Sequence, residues 1–362
     1  MTALGEHIKQ LIRADGPMSI AEYMRIVLTA RDDSYYQSRD PFGAGGDFVT
    51  APEISQVFGE LVGLWCVDIW QQLGAPKQFA LVELGPGRGT LMKDALRAAR
   101  VVPGFMRSVS VAMVEVSQVL RRLQQEALHA SEVPVHWRDR FDDIDATGPL
   151  IVVANEFFDA LPIRQWVRIA EGWSERVVGL DQDRLVFGAA PGVINIDLVP
   201  PALRHAGAGS IVEVSPARSA VARLVGERIA AQGGAALAID YGFVGPAVGD
   251  TLQAVKRHAY ADVLSDLGEA DLTSHVDFWA LSDAFRAGGA QVTPAVEQGA
   301  FLDRLGGRAR VAALKRRATP AQSSQIDEAY DRLTAPGAMG SLFKVLTAYS
   351  PTTLQPAGFA TA

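Results

Sequence analysis

The stretch Leu81-Val82-Glu83-Leu84-Gly85-Pro86-Gly87-Arg88-Gly89-Thr90, followed by a helical apolar pattern from Leu91, decides the fold. An apolar run interrupted by one acid leads into three alternating glycines. It reads as a buried parallel strand, a turn almost free of side chains and a helix start. Such a turn lets main-chain N–H groups and a helix N-terminus approach a ligand closely. The spacing is Gly-x-Gly-x-Gly rather than the Gly-x-Gly-x-x-Gly of dinucleotide sites. A carboxylate at Glu83 is unfavourable beside a pyrophosphate and favourable beside an amino group or a sulfonium. The turn therefore points to S-adenosylmethionine and methyl transfer, not to hydride transfer.

Working outward, the next apolar strand ends in Glu115, 26 residues after Gly89. An acid there can accept hydrogen bonds from both hydroxyls of a ribose. Strands are expected at residues 79–84, 108–115, 134–137, 150–155 and 235–240, with helices between most of them, such as 91–100 and 118–129. That alternation predicts an α/β, Rossmann-like class: a doubly wound, mostly parallel sheet with helices on both faces. A helical N-terminal or lid region is expected over residues 1–74 and the core over 75–350. Arg164–Ile169 and Glu175–Leu180 flank a turn and read as a β-hairpin insertion at about 163–200, with a third strand at 184–187. The tail 351–362 is expected to be disordered.

Ala154-Asn155-Glu156-Phe157-Phe158-Asp159-Ala160-Leu161-Pro162 leaves the strand 150–155 at the same carboxyl edge as the glycine turn. Asn155, Glu156 and Asp159 are candidate groups for holding a cationic or amine substrate and taking its proton. The residues alone also allow a turn whose Asn and Asp merely cap the next element. Upstream, a glycine-rich segment leads into Asp47-Phe48-Val49-Thr50-Ala51-Pro52-Glu53. It suits a water-excluding lid, with Asp47, Thr50 and Glu53 as its polar groups, and equally an ordinary loop and N-cap. His275, in Thr273-Ser274-His275-Val276-Asp277, is a candidate base or a loop-fixing histidine.

Composition narrows the classes. The formal charge of −7 argues against a broad nucleic-acid footprint, and a single cysteine excludes an intrachain disulfide. Cys66 sits in an apolar run and reads as a buried small hydrophobe. The six histidines lack metal-ligand spacing, so no metal is expected. Without a signal-like N-terminus or an apolar run of bilayer length, the sequence is read as a soluble cytoplasmic protein with no membrane insertion.

Four stretches together carry a resemblance: residues 82–90, residues 155–162, Leu272-Thr273-Ser274-His275-Val276-Asp277-Phe278, and residues 46–55. With Met339-Gly340-Ser341-Leu342-Phe343-Lys344-Val345-Leu346, they resemble the MidA family of class I methyltransferases over nearly the whole chain. The resemblance implies S-adenosylmethionine as cofactor, with Glu83, Gly85, Gly87, Gly89 and Glu115 around it. It places Asn155, Glu156 and Asp159 at the methyl group and substrate. The mitochondrial member of the family is a complex I assembly factor and protein arginine methyltransferase. That implies a protein substrate, with the 49-kDa-type subunit of complex I as the expected partner. Methylation of a small molecule and a non-catalytic, cofactor-binding assembly chaperone are the competing expectations.

Overall fold

The computed structural model describes residues 2–29, 50–256 and 259–359. The chain separates into two compact units. One comprises Met1–Phe48, Asp159–Val221 and Val244–Ala280; the other comprises Val49–Phe158, Ala222–Phe243 and Leu281–Ala362. The expected boundary at residue 74 is not where the chain divides. Residues 49–74 cluster with the sheet that follows them, and the β-rich insertion clusters with the N-terminal residues.

The second unit carries the long sheet. Its strands are β1 (Phe79–Leu84), β2 (Val109–Val114), β3 (Val135–Arg138), β4 (Leu150–Asn155), β5 (Gly234–Phe243), β6 (Gln291–Val292) and β7 (Phe343–Ser350). Their spatial order is β6-β7-β5-β4-β1-β2-β3. Pairing is parallel from β5 through β3, whereas β7 runs antiparallel to β5, Gly234 opposite Ser350 and Tyr241 opposite Phe343. Every residue of β1 and of β4 is buried, which is why both are apolar except for Glu83 and Asn155. The chain leaves β1 toward β2 and β3, then returns to β4 on the other side of β1. The strand order reverses there, and in open α/β sheets ligands bind outside the carboxyl ends of the strands at such a point.

Helices cover this sheet. Helix α1 (Gln56–Gln72) follows a short Ala51–Ile54 turn and is capped by Ser55, whose hydroxyl accepts the Val57 N–H. Helix α2 (Thr90–Ala99) follows the glycine turn. At Gly63 a Cβ would lie 2.5 Å from the Ala95 Cα, so only glycine permits this approach of α1 to α2. The buried carboxylate of Glu60 accepts from Arg97 on α2 and, through both oxygens, from Arg310, pinning a third helix, α3 (Gly307–Lys315). Burial favours the neutral acid, but the two guanidinium groups prevail and hold Glu60 below its usual pKa. Residues expected to form a disordered tail are packed as far as residue 359: Leu354 is buried and the Phe359 ring lies 5.5 Å from that of Phe301.

The first unit has an antiparallel sheet. The expected hairpin is present as Arg164–Ile169 and Gly172–Asp181, joined by the two residues Ala170 and Glu171, with Arg184–Ala189 as the third strand. Met18–Ser19 and Ile211–Val214 complete it. Ser19 accepts the Glu22 N–H at the start of helix Ile20–Thr29. A second small sheet pairs Gln253–Lys256 with Asp271–Thr273.

Candidate functional site

The turn after β1 is held open by backbone geometry. Gly85, Gly87 and Gly89 have φ of +62°, +51° and +80°, values that an L side chain rarely tolerates. A Cβ on Gly85 would lie 3.0 Å from the Phe157 ring. At the end of β1, Glu83 is buried and its Oε2 has no hydrogen-bond partner among the described residues. Desolvation pushes its carboxyl up to about 8. A ligand ammonium at this turn would restore the ionised form and give the orphaned oxygen a donor.

At the end of β2, Glu115 is buried and anchored through three contacts. Oε1 accepts the Ser117 N–H at 2.8 Å, Oε2 accepts the Gln124 amide at 3.3 Å, and its main-chain oxygen accepts Arg121 Nε at 2.7 Å. Burial raises its pKa, opposed by the Ser117 and Gln124 donors. Val116 is a further main-chain donor to this carboxylate, which has about four acceptor sites, so acceptor capacity remains for a ligand hydroxyl.

Asn155 closes β4 and Glu156 follows it. Glu156 has φ +50°, a left-handed conformation that costs a non-glycine residue about 1 kcal/mol or more. The surroundings fix it there. Its N–H donates to Ile239 O at 2.9 Å, and its Oε1 accepts from Asn155 Nδ2 at 3.1 Å and from the Ala51 N–H at 3.2 Å. Asn155 Oδ1 is buried with no hydrogen-bond partner among the described residues. The fully buried Asp240, on β5, grips the same turn: one oxygen accepts the Phe158 N–H and the other the Tyr241 N–H, each at 3.0 Å. Sequence reasoning treated Asp240 only as a strand end.

Of the expected lid groups, Asp47 lies outside the described residues. Thr50 caps the Ala51–Ile54 turn without a side-chain bond. Glu53 accepts from the Thr90 hydroxyl and lies 3.9 Å from the Arg88 guanidinium, which brings it to the glycine turn.

Asp159 and His275 belong to the first unit. There the buried Arg218, in the first turn of helix Pro216–Gln232, binds both of their segments. Its guanidinium donates to Asp159 O at 3.1 Å, to Ser274 O at 3.0 Å and Oγ at 2.7 Å, and to His275 O at 2.7 Å. Ser274 N–H also donates to Asp159 O at 3.2 Å. Burial and then the Arg218 charge lower the His275 pKa, which favours a neutral imidazole. Arg218 was missed in the sequence because one arginine at a helix start carries no distinguishing pattern.

The profile of the S-adenosyl-L-methionine-dependent methyltransferase family Methyltransf_28 matches residues 61–296. The chain belongs to this family. Among similar proteins is the Drosophila melanogaster protein arginine methyltransferase NDUFAF7 homolog, mitochondrial. It is 37% identical over 375 residues, covering 96% of this chain and 85% of that one. The human protein arginine methyltransferase NDUFAF7, mitochondrial, is 35% identical over 369 residues, covering 95% and 82%. A Burkholderia thailandensis crystal structure with S-adenosyl-homocysteine bound has 28% identity and a TM-score of 0.84, covering 98% of this chain and 94% of that one.

The methyltransferase thus has the expected Rossmann-like class I fold, and S-adenosylmethionine is its cofactor. The cytoplasmic location expected from the sequence is corrected: these relatives are named as mitochondrial proteins. The expectation had rested on the lack of a signal-like N-terminus, which is weak ground for assigning a compartment. Among the described residues no helix is long and apolar enough to cross a membrane.

Proposed function

We propose that the methyltransferase modifies an arginine side chain of a protein, and that its substrate is a subunit of respiratory complex I, of the 49-kDa type, whose assembly it supports. The observation that carries this reading is the Asn155–Glu156 pair, held at the carboxyl end of β4 by a left-handed backbone and by Ala51. A carboxylate fixed in this way suits a planar cation with several N–H donors. The protein arginine methyltransferase names of the curated relatives support the choice of substrate.

In this reading Glu115 holds the ribose hydroxyls, Glu83 faces the ammonium, and the turn of Gly85, Gly87 and Gly89 supplies main-chain contacts. S-adenosylmethionine supplies an electrophilic methyl group. Asn155 and Glu156 align a guanidinium nitrogen for in-line attack. Alignment is the main source of rate. The nitrogen–carbon bond forms as the sulfur–carbon bond breaks. The guanidinium proton passes to Glu156 late, because the free pKa above about 12 makes earlier loss costly. Thr50 and Glu53 exclude water at the entrance.

Incubation with labelled S-adenosylmethionine and lysate from a strain lacking the protein tests the proposal. Label is expected in one protein band. Label only in the small-molecule fraction, or none at all despite cofactor binding, overturns it.

A further inference from the structure

We infer that Gln124 is a positioning residue for the cofactor, tying the glycine turn to the ribose-binding carboxylate. It rests on the assignment of Glu115 to the ribose. Gln124 is fully buried on helix Gln118–Leu128. Its Nε2 donates to Gly87 O at 2.7 Å and to Glu115 Oε2 at 3.3 Å, while its Oε1 accepts from Trp137 Nε1 at 2.9 Å.

The indole nitrogen of Trp137 can only donate. The amide oxygen must therefore face Trp137, and both amide hydrogens must face Gly87 and Glu115. The orientation follows from chemistry and does not depend on telling nitrogen from oxygen. One side chain thus fixes the carbonyl of the central turn glycine and one oxygen of the ribose acid. The helix that carries it also lies against the turn, since a Cβ on Gly89 would be 3.3 Å from Gln124 Cα.

This arrangement sets the free acceptor sites of Glu115 before ligand arrives. Ser117 fixes one oxygen and Gln124 the other, so neither carboxylate rotation nor turn movement has to be arrested during binding. Loss of the amide should therefore be felt most by ligands that use the ribose hydroxyls.

The test is the affinity of S-adenosylhomocysteine and of its 2′,3′-dideoxyribose analogue for the wild type, Gln124→Met, Glu115→Ala and Trp137→Phe. Gln124→Met, of similar volume, is expected to weaken S-adenosylhomocysteine by about tenfold and the analogue by several-fold less. Trp137→Phe, which frees the amide to rotate, should give a smaller loss with the same bias. Equal losses for both ligands in Gln124→Met, or no loss, overturn the inference. If Glu115→Ala binds both ligands as the wild type does, the ribose assignment itself fails. If Glu115→Ala loses the ribose preference and Gln124→Met keeps it, only the role of Gln124 fails. Should Gln124→Met not fold, an unbiased Trp137→Phe overturns the inference.

Discussion

Glu156 Oε1 accepts the main-chain N–H of Ala51, 105 residues earlier in the sequence, at 3.2 Å. The bond joins the end of a central strand to the turn that opens the sheet-bearing unit. It explains how a left-handed glutamate is kept in place, and it gives the carboxylate a fixed direction. Replacing it by Gln retains an oxygen acceptor for Ala51 while removing the charge.

Glu156→Gln is therefore expected to fold and to bind S-adenosylhomocysteine within about threefold of the wild type, since its target is the substrate cation. Turnover should fall by about 100-fold or more, the scale of a lost proton acceptor. Calorimetric binding alongside single-turnover methyl transfer separates the two effects. Unimpaired transfer would remove Glu156 from the reaction.

Gly85→Ala tests the turn. Its φ of +62° and the Phe157 ring 3.0 Å from the added Cβ both oppose a side chain. A destabilisation of about 1–2 kcal/mol is expected, with weaker cofactor binding. Thermal melting with and without S-adenosylhomocysteine reads both. An unchanged melting temperature in both conditions would contradict the strain argument.

Glu83 makes stability depend on pH. Its carboxyl is pushed up to about 8 in the folded protein, against about 4.3 in an unfolded chain. Between these values the unfolded chain has released a proton that the folded protein still holds. The stabilisation is thus complete below about pH 4.3 and is lost as pH rises toward 8, with a slope of at most about 1.4 kcal/mol per pH unit. Glu83→Gln should flatten this slope in denaturant titrations. If the cofactor ammonium meets Glu83 as proposed, saturating S-adenosylmethionine should shrink it in the wild type.

Arg218→Lys tests the anchor of the other unit. A lysine cannot supply a planar fork to Asp159 O, Ser274 and His275 O together, so buried carbonyls lose donors. A loss of about 2–3 kcal/mol in urea unfolding is expected. A change below about 0.5 kcal/mol would show that the three segments hold without it.

Much of this arrangement was legible in sequence for definite reasons. Phe79–Leu84 and Leu150–Asn155 match their expected bounds because strands buried on both faces are mostly apolar, with Glu83 and Asn155 the exceptions. The glycine turn was readable because only glycine takes its three positive φ values at little cost. Phe343–Ser350 was not read as a strand, because no helix–strand alternation announces an antiparallel strand inserted beside β5. The breaks between helices over residues 298–334 were not read: one falls at Gly306, with φ +88°, and another where Thr319 caps the next helix. Gln124 did leave a signal that went unused. It stands between Leu120 and Leu128 on the buried stripe of its helix, where a polar residue needs partners. Arg218 and Asp240 act on main-chain atoms of distant segments, which no local pattern encodes.

The most direct test is to identify the modified residue. After transfer from labelled S-adenosylmethionine to lysate protein, peptide mass spectrometry should find the label on an arginine nitrogen, in a complex I subunit, and should find it about 100-fold reduced with Glu156→Gln. Label on any other side chain, or on arginine to the same extent with Glu156→Gln, would contradict the account.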